Sequence, residues 1–317
     1  MKVTTSSKKR SKEVFLIIAC LYFIHVAFFG PQYKTYYSYN YDHQNAYRWQ
    51  MVNSIPSKAP VIASFEFLSH LSSRKSLYSF HKIHDPYYQF AEFMVKSTLY
   101  TGSKFELPEN VSHALINFED FNIMYSIGLW PQLYFPKMQN FFMEWPWVVE
   151  KAAGNIVLFR KDAKGGVKLI EKTASDLSDL TNPLNIYIDG KFILASYEMK
   201  NPICEKEGTL IPFSFSWVSK SVTHHYYSLH FEITLPKSKI RTYNHLIGYT
   251  IYPTATWQNG EAYTENFWLP LSILKSGDYP LKVCIMDLNT EKKAVLETLN
   301  QNAAESDFMD LGKIHIP

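Results

Sequence analysis

Residues 210–217 read LIPFSFSW, and this stretch decides the fold of the C-terminal half. Every second position carries a large apolar residue, namely Ile211, Phe213, Phe215 and Trp217. The positions between them carry Leu210, Pro212, Ser214 and Ser216. Alternation with a period of two is typical of a β-strand that turns one face toward a core. Burying such rings, at about 150–250 Å² each and about 25 cal/mol per Å², stabilises the strand by several kcal/mol.

Further strand-like runs surround this one: Leu184–Ile188, Phe192–Met199, Tyr226–Thr234, Leu246–Tyr252, Glu265–Pro270, Tyr279–Leu288 and Gly312–Ile316. Turn signals separate several of them, at Asp189-Gly190, Asn259-Gly260 and Ser276-Gly277-Asp278. Many short strands with no helical period between them are typical of a sandwich. Residues 184–317 are therefore predicted to form an antiparallel β-sandwich, Ig-like or like a carbohydrate-binding module.

The preceding part of the chain mixes helical and strand patterns. His43, Tyr47 and Met51 fall at helical spacing. Strand-like runs follow at 61–65, 77–80, 111–118, 156–160 and 167–171, with Gly165-Gly166 predicted to turn the fourth into the fifth. Residues 31–172 are therefore predicted to form a small α/β domain, and the polar residues 173–183, which end in Asn-Pro, a linker. The fold class as a whole is α+β.

The N-terminal segment Val14–Gly30, VFLIIACLYFIHVAFFG, has no formally charged residue. Its length as a helix, about 25 Å, is at the short end of what spans a bilayer. Basic residues lie only on its N-terminal side: Lys2, Lys8, Lys9, Arg10 and Lys12. The positive-inside rule makes residues 1–13 a cytoplasmic tail and 14–30 a single transmembrane helix. Everything that follows is then periplasmic or extracellular.

Two other interpretations of this segment are weaker. A cleaved signal peptide needs small residues before its cleavage site, and Val26–Gly30 matches that pattern poorly. Ile17–Cys20 resembles a bacterial lipobox, but the apolar run continues well beyond the cysteine. A retained single-pass anchor is the interpretation that fits best.

Composition limits the classes of partner. Aromatic residues make up 16% of the chain, with 22 Tyr, 22 Phe and 7 Trp, which favours strands and wide contact surfaces. The formal net charge is +3 and much of it lies in the basic tail, so nucleic acid is not an expected partner. Cys20 lies in the apolar segment, so only Cys204 and Cys284 could pair, and the sequence leaves open whether they do.

No motif names a reaction. GxSxG, P-loop and HExxH patterns do not occur, so a non-enzymatic protein is expected. His81-x-x-His84-Asp85 has metal-ligand residue types, but it lies in a predicted loop without further ligands, and no metal or cofactor is predicted. His224 and His225 are neighbours on a strand entry and therefore point to opposite faces.

Two groups of residues are candidates for a functional role. Glu119-Asp120 follows a predicted strand, where carboxylates can be catalytic, although capping of a following helix is the favoured interpretation. An aromatic cluster supplies the candidate binding surface, formed by Trp130, Tyr134, Trp145 and Trp147. Such rings stack on sugars or form protein contacts, and ordinary core packing is the equal alternative.

Several stretches resemble a known family. They are SIPSKAPVIASFEFLSHLSSRKSLYSF at 54–80, His113–Phe118, Gly154–Lys161, Trp217, Trp257 and the run Phe267–Asp287. They are similar to the extracytoplasmic C-terminal region of a polytopic bacterial membrane protein family of unknown function. That family is itself similar to the multi-span GT-C type glycosyltransferases, which use lipid-linked sugars. The resemblance covers most of residues 50–290.

The resemblance implies a fold more than an activity. The multi-span enzymes carry their catalytic acid after the first of many transmembrane helices, whereas this chain has a single predicted helix and no such loop. No catalytic residue is therefore carried over. The expected function is a membrane-anchored extracytoplasmic, non-catalytic accessory or structural subunit that contacts the bilayer and binds protein partners in a membrane assembly. The alternative is a carbohydrate-binding or glycosyltransferase-associated cap domain of the cell envelope.

Overall fold

In a computed structural model, the chain divides into two compact units, Met1–Tyr41 and Asp42–Pro317. The structure describes residues 41–81, 110–120, 123, 131–143, 145–161, 166–173, 184–271, 274–298 and 307–317. The predicted anchor at 14–30 lies outside these residues. Within the described ranges, no helix has the length and apolar character needed to span a bilayer.

The described elements are three α-helices, two short 3₁₀ helices (Pro236–Ser238 and Thr254–Thr256) and seventeen strands. The helices are α1 (Tyr41–Ser54), α2 (Phe65–Leu68) and α3 (Pro131–Met143). The first six strands are β1 (Val61–Ala63), β2 (Leu77–Ser79), β3 (His113–Asn117), β4 (Trp147–Ala153), β5 (Ile156–Lys161) and β6 (Ile170–Thr173). The others are β7 (Ile186–Ile188), β8 (Phe192–Met199), β9 (Ile203–Glu205), β10 (Gly208–Ser219), β11 (Tyr227–Leu235), β12 (Lys239–Leu246), β13 (Ala262–Leu271), β14 (Gly277–Asp287), β15 (Lys292–Lys293), β16 (Leu296–Thr298) and β17 (Met309–Ile316).

One sheet is mixed and has the order β2-β1-β3-β5-β4. β1 runs parallel to β2 and β3, whereas β5 is antiparallel to β3 and β4. One face packs against buried side chains of α1 and the α2 region: Tyr47, Met51, Val52, Phe67 and Leu71. The other face packs against Met138 and Phe141 of α3. Because both faces are covered, every residue of β1 and β3 is buried.

Two antiparallel sheets form the predicted sandwich. One has the order β16-β7-β8-β10-β13-β6, with β9 also on β10, and the other has β12-β11-β14-β15, with β17 also on β14. The inward residues predicted on β10 are buried, each with at most 2% of its surface exposed. Phe231 of β11 lies with its ring centroid 5.6 Å from those of Phe213 and Phe267 on the opposite sheet. The described residues therefore form a mostly β protein with sandwich-like sheets.

The structure corrects one predicted strand. Leu246–Tyr252 was expected to be extended, but the strand is β12, which ends at Leu246, and the chain then turns. Gly248 and Tyr249 have φ angles of 76° and 52°, in the left-handed region. Their neighbours Ile247 and Ile251 are fully buried, which explains why this turn resembles a strand in sequence.

The pairing of β6 also differs from the sequence-based expectation. The Gly-Gly step predicted a hairpin between residues 156–160 and 167–171, yet β6 pairs with β13 of the sandwich, Thr264 opposite Glu171. A single bridge, Val149 to Val167, joins this segment to β4 of the mixed sheet. β6 therefore connects the two sheet systems. The division into separate domains at 173–183 stays a prediction.

Candidate functional site

Three exposed apolar side chains lie on loops near the ends of β11 and β14. Val222 precedes β11, Leu288 follows β14, and Val295 precedes β16. Their exposed fractions are 51%, 48% and 59%. Tyr227, the first residue of β11, pairs with Asp287, the last residue of β14. We call Val222, Leu288 and Val295 the sandwich-end surface.

Asp189 fixes the loop that carries Val295. It lies in the turn between β7 and β8, residues 189–191, with a φ of 49°, next to Gly190 at 63°, and both angles are in the left-handed region that tight hairpin turns use. Its carboxylate accepts hydrogen bonds from the Val295 N–H at 2.8 Å and the Tyr227 hydroxyl at 2.9 Å. Burial and the Asp189 carboxylate raise the pKa of Tyr227, so its hydroxyl remains a donor.

Asp287 fixes the other two loops. The buried carboxylate lies 2.7 Å from His225 Nδ1 and accepts a hydrogen bond from the Asn289 N–H at 2.9 Å. The Leu288 N–H donates to the Tyr226 carbonyl at 2.9 Å, which joins the two loops directly. Burial alone would raise the pKa of Asp287, but hydrogen bonds from His225 and Asn289 outweigh it and hold the pKa below its ordinary value. Asp287 is therefore an anion at neutral pH.

A second polar cluster is fully buried between the mixed sheet and the sandwich. His245 Nε2 lies 2.8 Å from Glu265 Oε1, and both side chains have no exposed surface. Glu265 also accepts hydrogen bonds from the Gly248 N–H at 2.8 Å and from Trp217 Nε1 at 3.0 Å. His245 Nδ1 lies 3.1 Å from Asn155 Oδ1, in the turn between β4 and β5. The cluster joins Asn155 of the mixed sheet to β12 and β13 of the sandwich.

Neither His245 nor Glu265 was identified from the sequence. They are twenty residues apart on different sheets, and no motif contains them. The sequence signal that could have indicated Glu265 is a lone carboxylate in an apolar strand, because charged residues are rarely fully buried without a partner.

A third polar group lies where β1 and β3 end, at the same edge of the mixed sheet. Asn117 Nδ2 donates to Glu66 Oε1 at 2.9 Å, and Arg48 Nη1 donates to Glu66 Oε2 at 3.1 Å. Asn117 Oδ1 in turn accepts the Glu119 N–H at 3.0 Å. These side chains are tied to one another, as in a structural network.

Glu119 belongs to the acidic pair that the sequence indicated. The residue reaches solvent, but protein atoms crowd its carboxyl, and this desolvation raises its pKa to about 7 against an opposing hydrogen bond from Asn155. Asp120 is buried. The helix that the pair was predicted to cap would begin among residues 121–130, and of these only Ile123 is described.

Of the four aromatic residues predicted to form a binding surface, the structure describes Tyr134, Trp145 and Trp147. Trp130 lies outside the described residues. Tyr134 is fully buried on α3 and donates to Thr250 Oγ1 at 3.0 Å, while Trp147 is buried with 3% exposed. Trp145 is half-buried and lies parallel to Trp147, with centroids 6.1 Å apart. Lys161 Nζ lies 4.3 Å from the Trp145 ring centroid. Within the described residues, the buried Trp147 Nε1 has no hydrogen-bond partner.

The histidine and cysteine positions can be placed in part. His81 lies beside Ser79 Oγ, whereas His84 and Asp85 lie outside the described residues. Among the described residues, no group of three or more His, Cys, Asp or Glu side chains is placed to hold a metal ion. His224 is exposed, and His225 Nδ1 lies 2.7 Å from Asp287 Oδ2. Cys204 is exposed on β9 and Cys284 is buried on β14, and both are free thiols.

One further exposed group lies on the helical side of the mixed sheet. Trp49 of α1 is 51% exposed and Phe65 of α2 is 63% exposed. The Trp49 and His70 rings meet edge to face, with centroids 4.4 Å apart. The Arg48–Glu66 ion pair involves the sequence neighbours of Trp49 and Phe65. We call Trp49, Phe65 and His70 the α1–α2 aromatic patch.

Comparisons with known proteins assign the chain to no family. No family model and no curated protein matches the chain. Among solved structures, the C-terminal domain of wzt has a TM-score of 0.26 and 15% identity, over 43% of this chain and 89% of that chain. Chicken MD-1 complexed with lipid IVa has a TM-score of 0.23 and 10% identity, over 48% of this chain and 93% of that chain. Bacteroides uniformis beta-glucuronidase 2 has a TM-score of 0.24 and 9% identity, over 45% of this chain and 18% of that chain. TM-scores this low carry no argument about fold or function. The class is that of mostly β proteins with sandwich-like antiparallel sheets.

Proposed function

We propose that the chain is a membrane-anchored, extracytoplasmic and non-catalytic accessory subunit that binds a protein partner through the sandwich-end surface. The observation that carries the proposal is the placement of three exposed apolar side chains on loops that Asp189 and Asp287 hold in position. Single exposed apolar residues are common and need no explanation. Three of them on hydrogen-bonded loops form a preorganised binding surface.

Fixed loops favour binding because the entropy of ordering them has already been lost on folding. The Asp189 carboxylate and the backbone link between Leu288 and Tyr226 hold these loops without any ligand. Binding residues are also concentrated on loops that a rigid scaffold positions, and sandwiches carry such loops at their ends. A protein partner matches the chemistry of this surface, since apolar side chains bury well against another apolar surface.

The location in the membrane rests on the sequence. Val14–Gly30 is an uncharged apolar run with basic residues before it, which supports a single-pass anchor with the folded part on the extracytoplasmic side. The similarity of residues 50–290 to the extracytoplasmic region of a multi-span family supports a place beside a multi-span membrane protein.

A photo-crosslinking experiment on the full chain in its native membrane tests the proposal. Benzoylphenylalanine replaces Val222, Leu288 or Val295 in turn, and Ile203 serves as the matched control because it is an apolar residue, 43% exposed, on β9. We expect one and the same membrane protein to be captured at all three positions and not at Ile203. Equal capture at Ile203, or no adduct at the three positions, would contradict the proposal.

Binding strength gives the second readout. With the captured partner purified, a chain carrying both Leu288→Ser and Val295→Ser is expected to bind at least about tenfold more weakly, because two apolar contacts are lost. Ile203→Ser is expected to leave the affinity unchanged. An unchanged affinity in the double variant would show that the crosslinks report proximity only.

A second candidate function, glycan binding, is favoured by one observation. Trp145 is a half-buried ring that lies parallel to Trp147, and sugars stack on such rings. Lys161 covers part of the ring, so a sugar would use the remaining face. A glycan array with the full chain in nanodiscs tests this function. Binding that Trp145→Ala abolishes and Trp49→Ala preserves would support it, and no binding above background would remove it.

A further inference from the structure

We propose that Asn155 couples the Glu119 carboxyl to the buried imidazole of His245, so that these two side chains bind one shared proton as a pair. Asn155 lies in the turn between β4 and β5 and Glu119 follows β3, whereas His245 lies on β12 of the sandwich. The pair therefore spans the contact between the mixed sheet and the sandwich. This pH-sensitive contact lies inside the fold, goes beyond the proposed function and does not depend on it.

Glu265 fixes the proton on one nitrogen of the His245 imidazole. Both oxygens of Glu265 accept N–H donors, Oε1 from Gly248 at 2.8 Å and Oε2 from Trp217 Nε1 at 3.0 Å. Hydrogen bonds of this kind favour the ionised carboxyl. His245 Nε2 lies 2.8 Å from Oε1 and therefore donates to it. The other nitrogen, Nδ1, is then an acceptor in a neutral imidazole and a donor in an imidazolium.

The side-chain amide of Asn155 bridges Nδ1 of His245 and the carboxyl of Glu119. Its Oδ1 lies 3.1 Å from Nδ1, and its Nδ2 donates to the carboxyl. In this orientation Nδ1 carries a proton, so His245 is an imidazolium and Glu119 a carboxylate. When the amide is reversed, a protonated Glu119 donates to Oδ1, and Nδ2 donates to a neutral imidazole. The Tyr243 hydroxyl, 3.4 Å from Nδ2, suits either orientation because it can donate or accept.

Loss of the shared proton leaves one of these hydrogen bonds unmade. With neither Glu119 nor Nδ1 protonated, the amide oxygen of Asn155 faces an acceptor whichever way the amide is turned. His245 has no exposed surface, so water does not replace the missing donor. The contact between the two sheet systems is therefore expected to weaken as the pH rises and the proton leaves.

The charged groups around Glu119 are Arg48 of α1, Glu66 of α2 and the buried Asp120, the next residue along the chain. Desolvation is the largest influence on the pKa of Glu119 and raises it to about 7. The hydrogen bond from Asn155 and the charge of Arg48 lower this pKa, whereas the charge of Glu66 raises it. Arg48 and Glu66 form an ion pair, so their influences oppose each other.

The charged group that faces His245 is Glu265 of β13. The Phe267 ring stacks on the imidazole with centroids 4.0 Å apart, and the Tyr249 ring lies edge to face at 4.5 Å. Burial raises the pKa of Tyr249 well above its ordinary value, so this hydroxyl stays neutral. Of the groups described around the pair, Glu119 and His245 are therefore those whose charge changes near neutral pH.

Nuclear magnetic resonance of the full chain in detergent tests the coupling, with isotope labels in the histidine nitrogens and the glutamate carboxyl carbons. The Glu119 signal is assigned by its absence from Glu119→Gln, and the His245 signal by its contact with the Phe267 ring. Asn155→Leu removes the amide and keeps a side chain of similar size. Glu198→Gln is the matched control, because Glu198 is an exposed carboxylate on β8. Circular dichroism confirms that each variant is folded.

In the wild type we expect the Glu119 and His245 signals to change over the same pH range. In Asn155→Leu the two ranges should separate by about 1 pH unit or more, since sites that interact by about that much titrate as a pair. Glu198→Gln should titrate as the wild type does. Separate ranges in the wild type, or a common range that persists in Asn155→Leu, would overturn the proposal.

Glu119→Gln keeps the test decisive if Asn155→Leu does not fold, because residue 119 reaches solvent. With a neutral amide at this position, the imidazolium loses the carboxylate that favours it. The His245 signal should then titrate about 1 pH unit lower than in the wild type. A titration of His245 that does not move in Glu119→Gln would equally overturn the coupling.

Discussion

The Asp287 carboxylate lies 2.7 Å from His225 Nδ1, and this contact joins the loop before β11 to the end of β14. Asp287 is buried while His225 is partly exposed, so the carboxylate needs its partners in order to remain charged. The sequence indicated His225 only as one of two adjacent histidines pointing to opposite faces. The structure gives it a specific role, because the same contact positions Leu288 of the sandwich-end surface.

Replacing Asp287 by Asn is expected to lower the free energy of unfolding at pH 7 by about 1–3 kcal/mol, the usual cost of losing hydrogen bonds to a charged acceptor. The pKa of Asp287 is depressed in the folded protein, so its contribution is present above the ordinary carboxyl pKa. That contribution is lost as the pH falls through the depressed value. Urea unfolding in mild detergent at pH 7 and at pH 2–3 should therefore show a smaller difference between the two proteins in acid. An equal difference at both values would contradict this role.

Glu265→Gln tests the buried cluster. Leaving a buried polar group without its hydrogen-bond partner typically costs about 1–3 kcal/mol, and the cost is larger where a charged group is involved. His245 and Glu265 have no exposed surface, so water cannot replace the lost interaction without a cavity opening. Thermal unfolding of the variant should begin well below that of the wild type. Glu198→Gln on β8 is the control, since Glu198 is exposed and makes only a surface ion pair with Lys200.

The turn at Gly248 shows where reasoning from sequence is limited. The apolar alternation of LIPFSFSW identifies its strand because packing against a core is the only constraint there. After Leu246 the residues are equally apolar, but a left-handed turn is held by Glu265, a residue seventeen positions away. The pairing partner of β6 is equally hard to predict from the sequence. The short Gly-Gly step favours a local hairpin, whereas the actual partner, β13, is about ninety residues distant. The local sequence pattern predicts the secondary-structure elements, whereas pairing between residues distant in sequence decides where those elements lie.

Gly248→Ala should be among the most damaging small changes in the chain. A Cβ built there would lie 1.8 Å from the Tyr252 carbonyl oxygen, and the φ of 76° is unfavourable for any side chain. Gly190→Ala is the matched control, because its φ of 63° is similar but nothing lies within 4 Å of the added Cβ. We expect a loss of about 1 kcal/mol for Gly190→Ala, from the backbone conformation alone. The loss for Gly248→Ala should be several times larger in urea unfolding.

Glu119 should make stability depend on pH near neutrality. Its folded pKa, about 7, is above the ordinary value, so the folded state favours the protonated carboxyl. The stabilisation of the folded state is therefore fully present at pH values below the ordinary carboxyl pKa, and it is lost as the pH rises through about 7. The unfolding midpoint of the wild type should fall between pH 5 and pH 8, and Glu119→Gln should remove most of that slope.

The two cysteines outside the apolar segment should differ in reactivity. Cys204 is exposed on β9, whereas Cys284 has 1% of its surface exposed and burial raises the pKa of its thiol to about 11. Because the thiolate is the reactive form, a maleimide should label Cys204 in the folded protein and Cys284 only after unfolding. Their strands lie in opposite sheets, β9 on β10 and β14 on β11. Mass spectrometry under non-reducing conditions should accordingly find no peptide that joins the two, and a joined peptide would mean that β9 lies elsewhere than on β10.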